Sequence, residues 1–148
     1  DMSAFLSAMA ISAYERYRSS GSKHEIDMAV ESAQAAVGMI SENHPNWTGS
    51  LNNLGIMLES RYECTGAMAD LEEAIGVARR AVASTPDDRP DRTAWLNYLG
   101  NKLESRYERT RAMADLDEAI SVARQQVAAT PKDHPGHARY LYNLGSYL

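Results

Sequence analysis

The chain of 148 residues holds a single cysteine, Cys64, so an internal disulfide is excluded and nothing points to an oxidising compartment. No apolar run approaches the roughly 20 residues that cross a bilayer. The mildly apolar stretch from Met2 to Ala13 has no basic segment before it, which argues for a helix and against a signal peptide. Basic residues are the minority, 15 against 20 acidic ones, and the net charge of −5 leaves no broad basic surface for nucleic acid or an anionic membrane. A glycine-rich phosphate loop, a nucleotide motif and a Ser/His/Asp set are also missing, so no catalytic site, cofactor or metal is expected. These absences make a cytoplasmic protein the simplest reading.

What the chain does have is repetition. Residues 51 to 95 recur at 96 to 140 with 28 of 45 aligned positions identical, and the register runs back to Leu6 and forward through Leu141 to Leu148. A fixed period of this length marks stacked supersecondary units, which bury their apolar faces on one another and leave an extended surface for binding. The first unit, residues 6 to 50, matches the second at 11 of 45 positions, the divergence expected of a terminal repeat. A start without methionine and a fourth unit of only eight residues suggest a piece of a longer protein.

Within one repeat, Leu51, Leu54, Leu58 and Tyr62 fall on one helical face, here named helix A. Met68, Leu71, Ala74, Ile75, Ala78 and Val82 define helix B, with Thr65 and Gly66 as the turn. In the first repeat Leu6, Met9 and Ala13 take the corresponding core spacing. Gly55, Gly100 and Gly145 recur at one place, where a small residue suits close helix packing at a propensity cost of about 1 kcal/mol. Pro86 predicts that helix B ends near Thr85 and that residues 86 to 92 form a connector; Pro131 and Pro135 repeat the signal. Ser41 replaces the first of these prolines, so the first helix B is free to run further. Ser22 and Glu25 read as a capping box, which Ala67 and Ala112 cannot supply.

The pattern Leu51-x2-Leu54-Gly55-x2-Leu58, then Ala74-x3-Ala78 and Pro86, resembles the tetratricopeptide signature, with its aromatics replaced by leucine and alanine. The period of 45 exceeds the usual ~34 and lengthens the hairpin by about two turns. The long unit resembles the kinesin-light-chain type, and more closely arrays common in fungi, which often adjoin a nucleotide-binding oligomerisation or caspase-like protease domain. The resemblance implies an all-α, right-handed superhelical solenoid of about seven helices, one domain over residues 1–148, with the seventh helix beginning near Arg139.

It also implies that one side of helix A lines a concave groove. On that side stand Asn52, Ile56 and Glu59, then Asn97, Asn101 and Glu104, then Tyr142 and Ser146. The asparagines offer donor and acceptor to a peptide backbone and the glutamates attract basic side chains; the competing reading is a solvated helix face. The arginine and lysine arrangement that similar repeats use for a C-terminal carboxylate is absent, only Arg139 standing near such a position. The acidic runs Asp70 to Glu73 and Asp115 to Glu118 sit in first turns, where they complement the helix dipole. His134 and His137 have metal-pair spacing but no further ligand nearby, and Cys64 is read as exposed and inert.

The function expected is a non-catalytic scaffold that binds a neutral to basic protein or peptide segment, with neither nucleic acid nor membrane as partner. Two alternatives stand beside it: a spacer that self-associates end to end through its terminal repeats, and a regulatory fragment of an enzyme whose catalytic domain lies elsewhere. The Leu141 segment is expected to pack on helix B of the third repeat, any remaining apolar edge meeting another copy.

Overall fold

A computed structural model of the protein describes residues 1–86 and 89–148. Seven helices follow one another among them: α1 (Met2–Ser20), α2 (Lys23–Gly38), α3 (Trp47–Thr65), α4 (Met68–Ser84), α5 (Pro90–Thr110), α6 (Met113–Ala129) and α7 (His137–Tyr147). The described residues contain no strand. Residues 1–77 and 78–148 form two compact units, the boundary falling inside α4.

In the first unit α1 and α2 make a hairpin on which α3 packs. Small side chains, Ala10 and Ala13 on α1 and Ala29, Ala33 and Ala36 on α2, are buried, while Ile26, Leu51, Leu58, Leu71 and Ile75 supply bulk. Each fully buried leucine or isoleucine stabilises by roughly 1.5 to 3 kcal/mol. The buried face of α1 differs from the one its spacing predicts. Ala10 and Ala13 are buried, but Leu6 is only half-buried and Met9 is exposed. Within this unit α1 packs on α2 and touches α3, a packing that covers Ala10 and Ala13 and leaves Met9 to solvent, whereas its counterpart Leu54 on α3 is buried.

In the second unit α5 and α6 pair and α7 lies on α6. Trp95, Leu96, Leu99 and Leu103 on α5 are buried, as are Ala119, Val122 and Ala123 on α6. Gly100 is buried, and a Cβ there would stand 3.5 Å from Val122 Cγ1, so the small residue does allow close approach; Gly145 meets nothing. Helix α7 starts at His137, two residues before the expected Arg139. Its buried residue is Tyr140, while Leu141 is 47% exposed.

The turn between the helices of a hairpin is the same in all three repeats. Gly21, Gly66 and Arg111 occupy the left-handed region, each donating its N–H to a tyrosine carbonyl one turn back at 2.7 Å. The hydroxyl of Ser20, Thr65 or Thr110 donates back to the carbonyl of Arg16, Arg61 or Arg106 and accepts the N–H of Ser22, Ala67 or Ala112. This device replaces the expected capping box. The side chain of Ser22 makes no cap bond, its own N–H is satisfied by Ser20, and Glu25 is taken by Arg16.

Helix ends follow the prolines only in part. Helix α4 stops at Ser84 and α6 at Ala129, each two residues before its proline, Pro86 or Pro131. Without the first proline α2 nevertheless stops sooner, at Gly38, its last amides closing tight i to i+3 bonds to Ala36 and Val37 carbonyls. Asp87 and Asp88 of the 86–92 connector lie outside the described residues. Helix α5 already begins at Pro90, inside the expected connector, and from its first turn Arg92 donates to the C-terminal carbonyls of Val82 and Thr85 at 2.8 and 2.9 Å; His137 repeats the contact to Thr130 at 3.0 Å.

Candidate peptide-binding faces

The stripe read from the sequence stands on helix A as expected from its i, i+4, i+7 spacing. In the first unit Asn52 and Ile56 on α3 are exposed and Glu59 is half-buried. In the second unit Asn101 on α5 and Tyr142 and Ser146 on α7 are exposed, while Asn97 and Glu104 on α5 are half-buried. The second unit has two clefts bounded by α5 and α7: Asn97 lines one, Glu104 and Ser146 line the other, and Asn101 and Tyr142 line neither.

Asn97 lines a cleft of about 620 Å³ together with Arg89, Thr93, His134, Arg139 and Tyr140. Two guanidiniums and an imidazole surround it, and its described lining has no acid. Arg89 holds Asp91 only at 3.6 Å, both side chains well exposed, and Arg139 lies over the Tyr140 ring at 5.3 Å. His134 accepts the Gly136 N–H at Nδ1, 2.9 Å, which fixes the ring in the loop as His44 is fixed by Asn46 in the first repeat. Among the described residues no group of three or more His, Cys, Asp or Glu is placed to hold a metal ion.

Glu104 and Ser146 line the second cleft, about 320 Å³, with Tyr107, Glu108, Arg111 and Tyr147. The Tyr147 hydroxyl donates to Glu104 Oε2 at 3.0 Å, tying α7 to α5. Burial, and after it the Glu104 carboxylate, push the Tyr147 phenol up to about 12, because its anion would be both desolvated and opposed by like charge. Nothing in the repeat register marks Tyr147, whose counterparts Met57 and Lys102 share no polar chemistry with it.

The acidic first turns of the B helices are not simply partners of the helix dipole. Asp70 is 4% exposed and accepts from Arg61 Nε and Nη2 at 2.8 to 3.1 Å; Asp115, equally buried, does the same with Arg106. Arg61 also reaches Asp27 at 3.2 Å, and the hydrogen bond from the nearer Lys23, followed by this contact, holds the Asp27 carboxyl below its ordinary range. Glu73 accepts from Gln34, and Glu118 is paired with Arg79. The signal was present in the sequence: Arg16, Arg61 and Arg106 recur with Glu25, Asp70 and Asp115, always nine residues apart. These carboxylates hold the hairpins together. Cys64 is exposed, as expected.

Tandem helix hairpins with open polar stripes and small, solvent-open clefts define a class of repeat proteins built for contact with other proteins. The family model of the tetratricopeptide repeat matches residues 47–91 and 92–136, and the chain belongs to that family. Among solved structures it is similar to the nearly identical TPR-like repeats of a Podosopora anserina protein described as a putative kinesin light chain: 20% identity and a TM-score of 0.63 over 99% of this chain and 66% of that one. A single-substitution variant of the same repeats gives 21% identity, a TM-score of 0.64 and the same coverage. The chain thus spans 66% of the length of these relatives, and at this identity the likeness is one of fold. A comparison with curated proteins gives no match. No helix among the described residues is long and apolar enough to cross a membrane.

Proposed function

We propose that the chain is a non-catalytic protein-interaction module of a larger cytoplasmic scaffold or signalling protein, and that the open faces of its A helices take an extended protein segment, neutral to basic in character. One observation carries the reading: the positions of Asn52, Asn97 and Tyr142, and of Ile56, Asn101 and Ser146, stay at least partly open on α3, α5 and α7 while their neighbours Leu51, Leu54, Leu96 and Leu99 are buried. Amides there satisfy a peptide backbone, and an exposed tyrosine gives apolar contact at small entropic cost. Capped peptides selected from a random display library should bind with micromolar affinity, and Asn101→Ala with Tyr142→Ala should weaken them at least tenfold without lowering Tm. Selected peptides that ignore both substitutions would place the binding face elsewhere.

A second reading, self-association, is favoured by the exposed apolar side chains of Met2, Phe5 and Ile11 on α1 and of Leu141 and Leu148 in and after α7. Light scattering separates the two: a self-associating element grows with concentration, whereas a peptide receptor stays a small discrete species.

A further inference from the structure

The second unit has a polarity that its stripe of asparagines does not reveal. One cleft, at the N-terminal ends of α5 and α7, is lined by Arg89, His134 and Arg139. The other, toward the C-terminal ends of the same two helices, holds Glu104 and Glu108 with one cation, Arg111. Asn97 on α5 lines the first cleft and Asn101 follows it one turn on toward the second, while α7 places Arg139 and Tyr140 in the first and Ser146 and Tyr147 in the second. The charges are set at opposite ends of one unit, both partly open to solvent, where they attract and orient a partner more than they stabilise the fold.

We propose that the occupant of this face is a segment carrying a carboxylate and a cationic side chain at a fixed spacing, the carboxylate between Arg89 and Arg139 and the cation at Glu104 and Glu108. The inference rests on the peptide-binding reading above and names the partner chemistry, adding an acidic group to a segment read from the sequence as neutral to basic. Guanidiniums suit the first end because their planar forks match a carboxylate bidentately. The second end suits lysine or arginine, because Glu104 keeps one oxygen outside its bond from Tyr147 and Glu108 is exposed. Arg89 and Glu104 are fifteen residues apart, roughly 22 Å along a helix rising ~1.5 Å per residue. An extended chain at ~3.3 Å per residue covers that in about seven residues.

The test uses the whole chain and a labelled 14-residue peptide, capped at both ends, with one Asp and one Lys seven positions apart on an Asn, Ser, Ala and Tyr background. Neutralising either charge, or moving the two to adjacent positions, should weaken binding at least tenfold. Arg139→Glu should abolish the preference for Asp, and a peptide with Lys in place of Asp should recover binding to that variant. Glu108→Lys should do the converse at the other end. If the fully neutral peptide binds as tightly, or Arg139→Glu leaves the Asp preference intact, the polarity is wrong while the peptide-binding reading stands on its display result. Absence of binding by the Asp/Lys peptide overturns the inference as well.

Discussion

The α1–α2 and α5–α6 hairpins occupy equivalent places in the repeat and solve the same problems differently. Each ties its helices with an arginine and an acid nine residues on. Arg106 and Asp115 form a bidentate pair with the carboxylate side chain 6% exposed; Arg16 and Glu25 form one bond, with side chains 53% and 22% exposed. At the turn the order reverses. Gly21 takes the left-handed conformation without strain, whereas Arg111 must hold φ at 58°. In the core the first hairpin has Ala36, and the third has Gln126, buried with its Nε2 unpartnered among the described residues. The first hairpin is therefore low in strain but loosely tied, and the third is tightly tied while carrying a strained turn and an unsatisfied amide. Identity between repeats preserves the helices more faithfully than it preserves the source of their stability.

Breaking the tie gives the largest expected difference. Asp115→Ala leaves a half-buried guanidinium without its partner and should cost about 3 kcal/mol, whereas Glu25→Ala should cost less than ~1 kcal/mol because that pair is solvated and screened. Chemical denaturation of the two variants measures the contrast; equal losses would mean that burial of the pair is unimportant. Gln126→Met fills the same volume without the orphan amide and should stabilise by roughly 1 to 2 kcal/mol. A loss instead would show that the amide finds a partner in solution. Arg111→Gly should gain the least, about 0.5 to 1 kcal/mol, because relief of the left-handed strain is partly offset by a freer unfolded chain and by loss of the stacking on Tyr107 at 5.4 Å. An unchanged Tm would indicate that the arginine conformation carries no net strain.

Helix positions were readable because amphipathic spacing is local. The stripes starting at Leu51 and Met68, the turn at Gly66 and the stop before Pro86 all depend on residues within a few turns of one another. The exposed face of helix A followed from the same spacing. Its charged ends did not, since the basic cleft gathers Arg89 from the start of α5, His134 from a loop and Arg139 from α7. Read singly, His134 suggested a metal pair and Arg139 an isolated cation; proximity gives them a shared meaning.

Leu141 shows where pattern reading stops. Leu51 and Leu96 hold the same register and are 0% and 1% exposed, yet Leu141 is nearly half exposed. The sequence by itself determined the 45-residue period, the helix pairs, the place of the turns between them and the apolar side of the helices from α3 onward, because these are set by rotation per residue and by the conformational limits of glycine and proline. Only the tertiary structure decided which apolar side chains are covered, that Asp70 and Asp115 are buried in ion pairs, and that opposite charges gather at the two ends of α5. Burial and electrostatic proximity depend on what a neighbouring helix brings within a few ångströms, and no local pattern contains that distance.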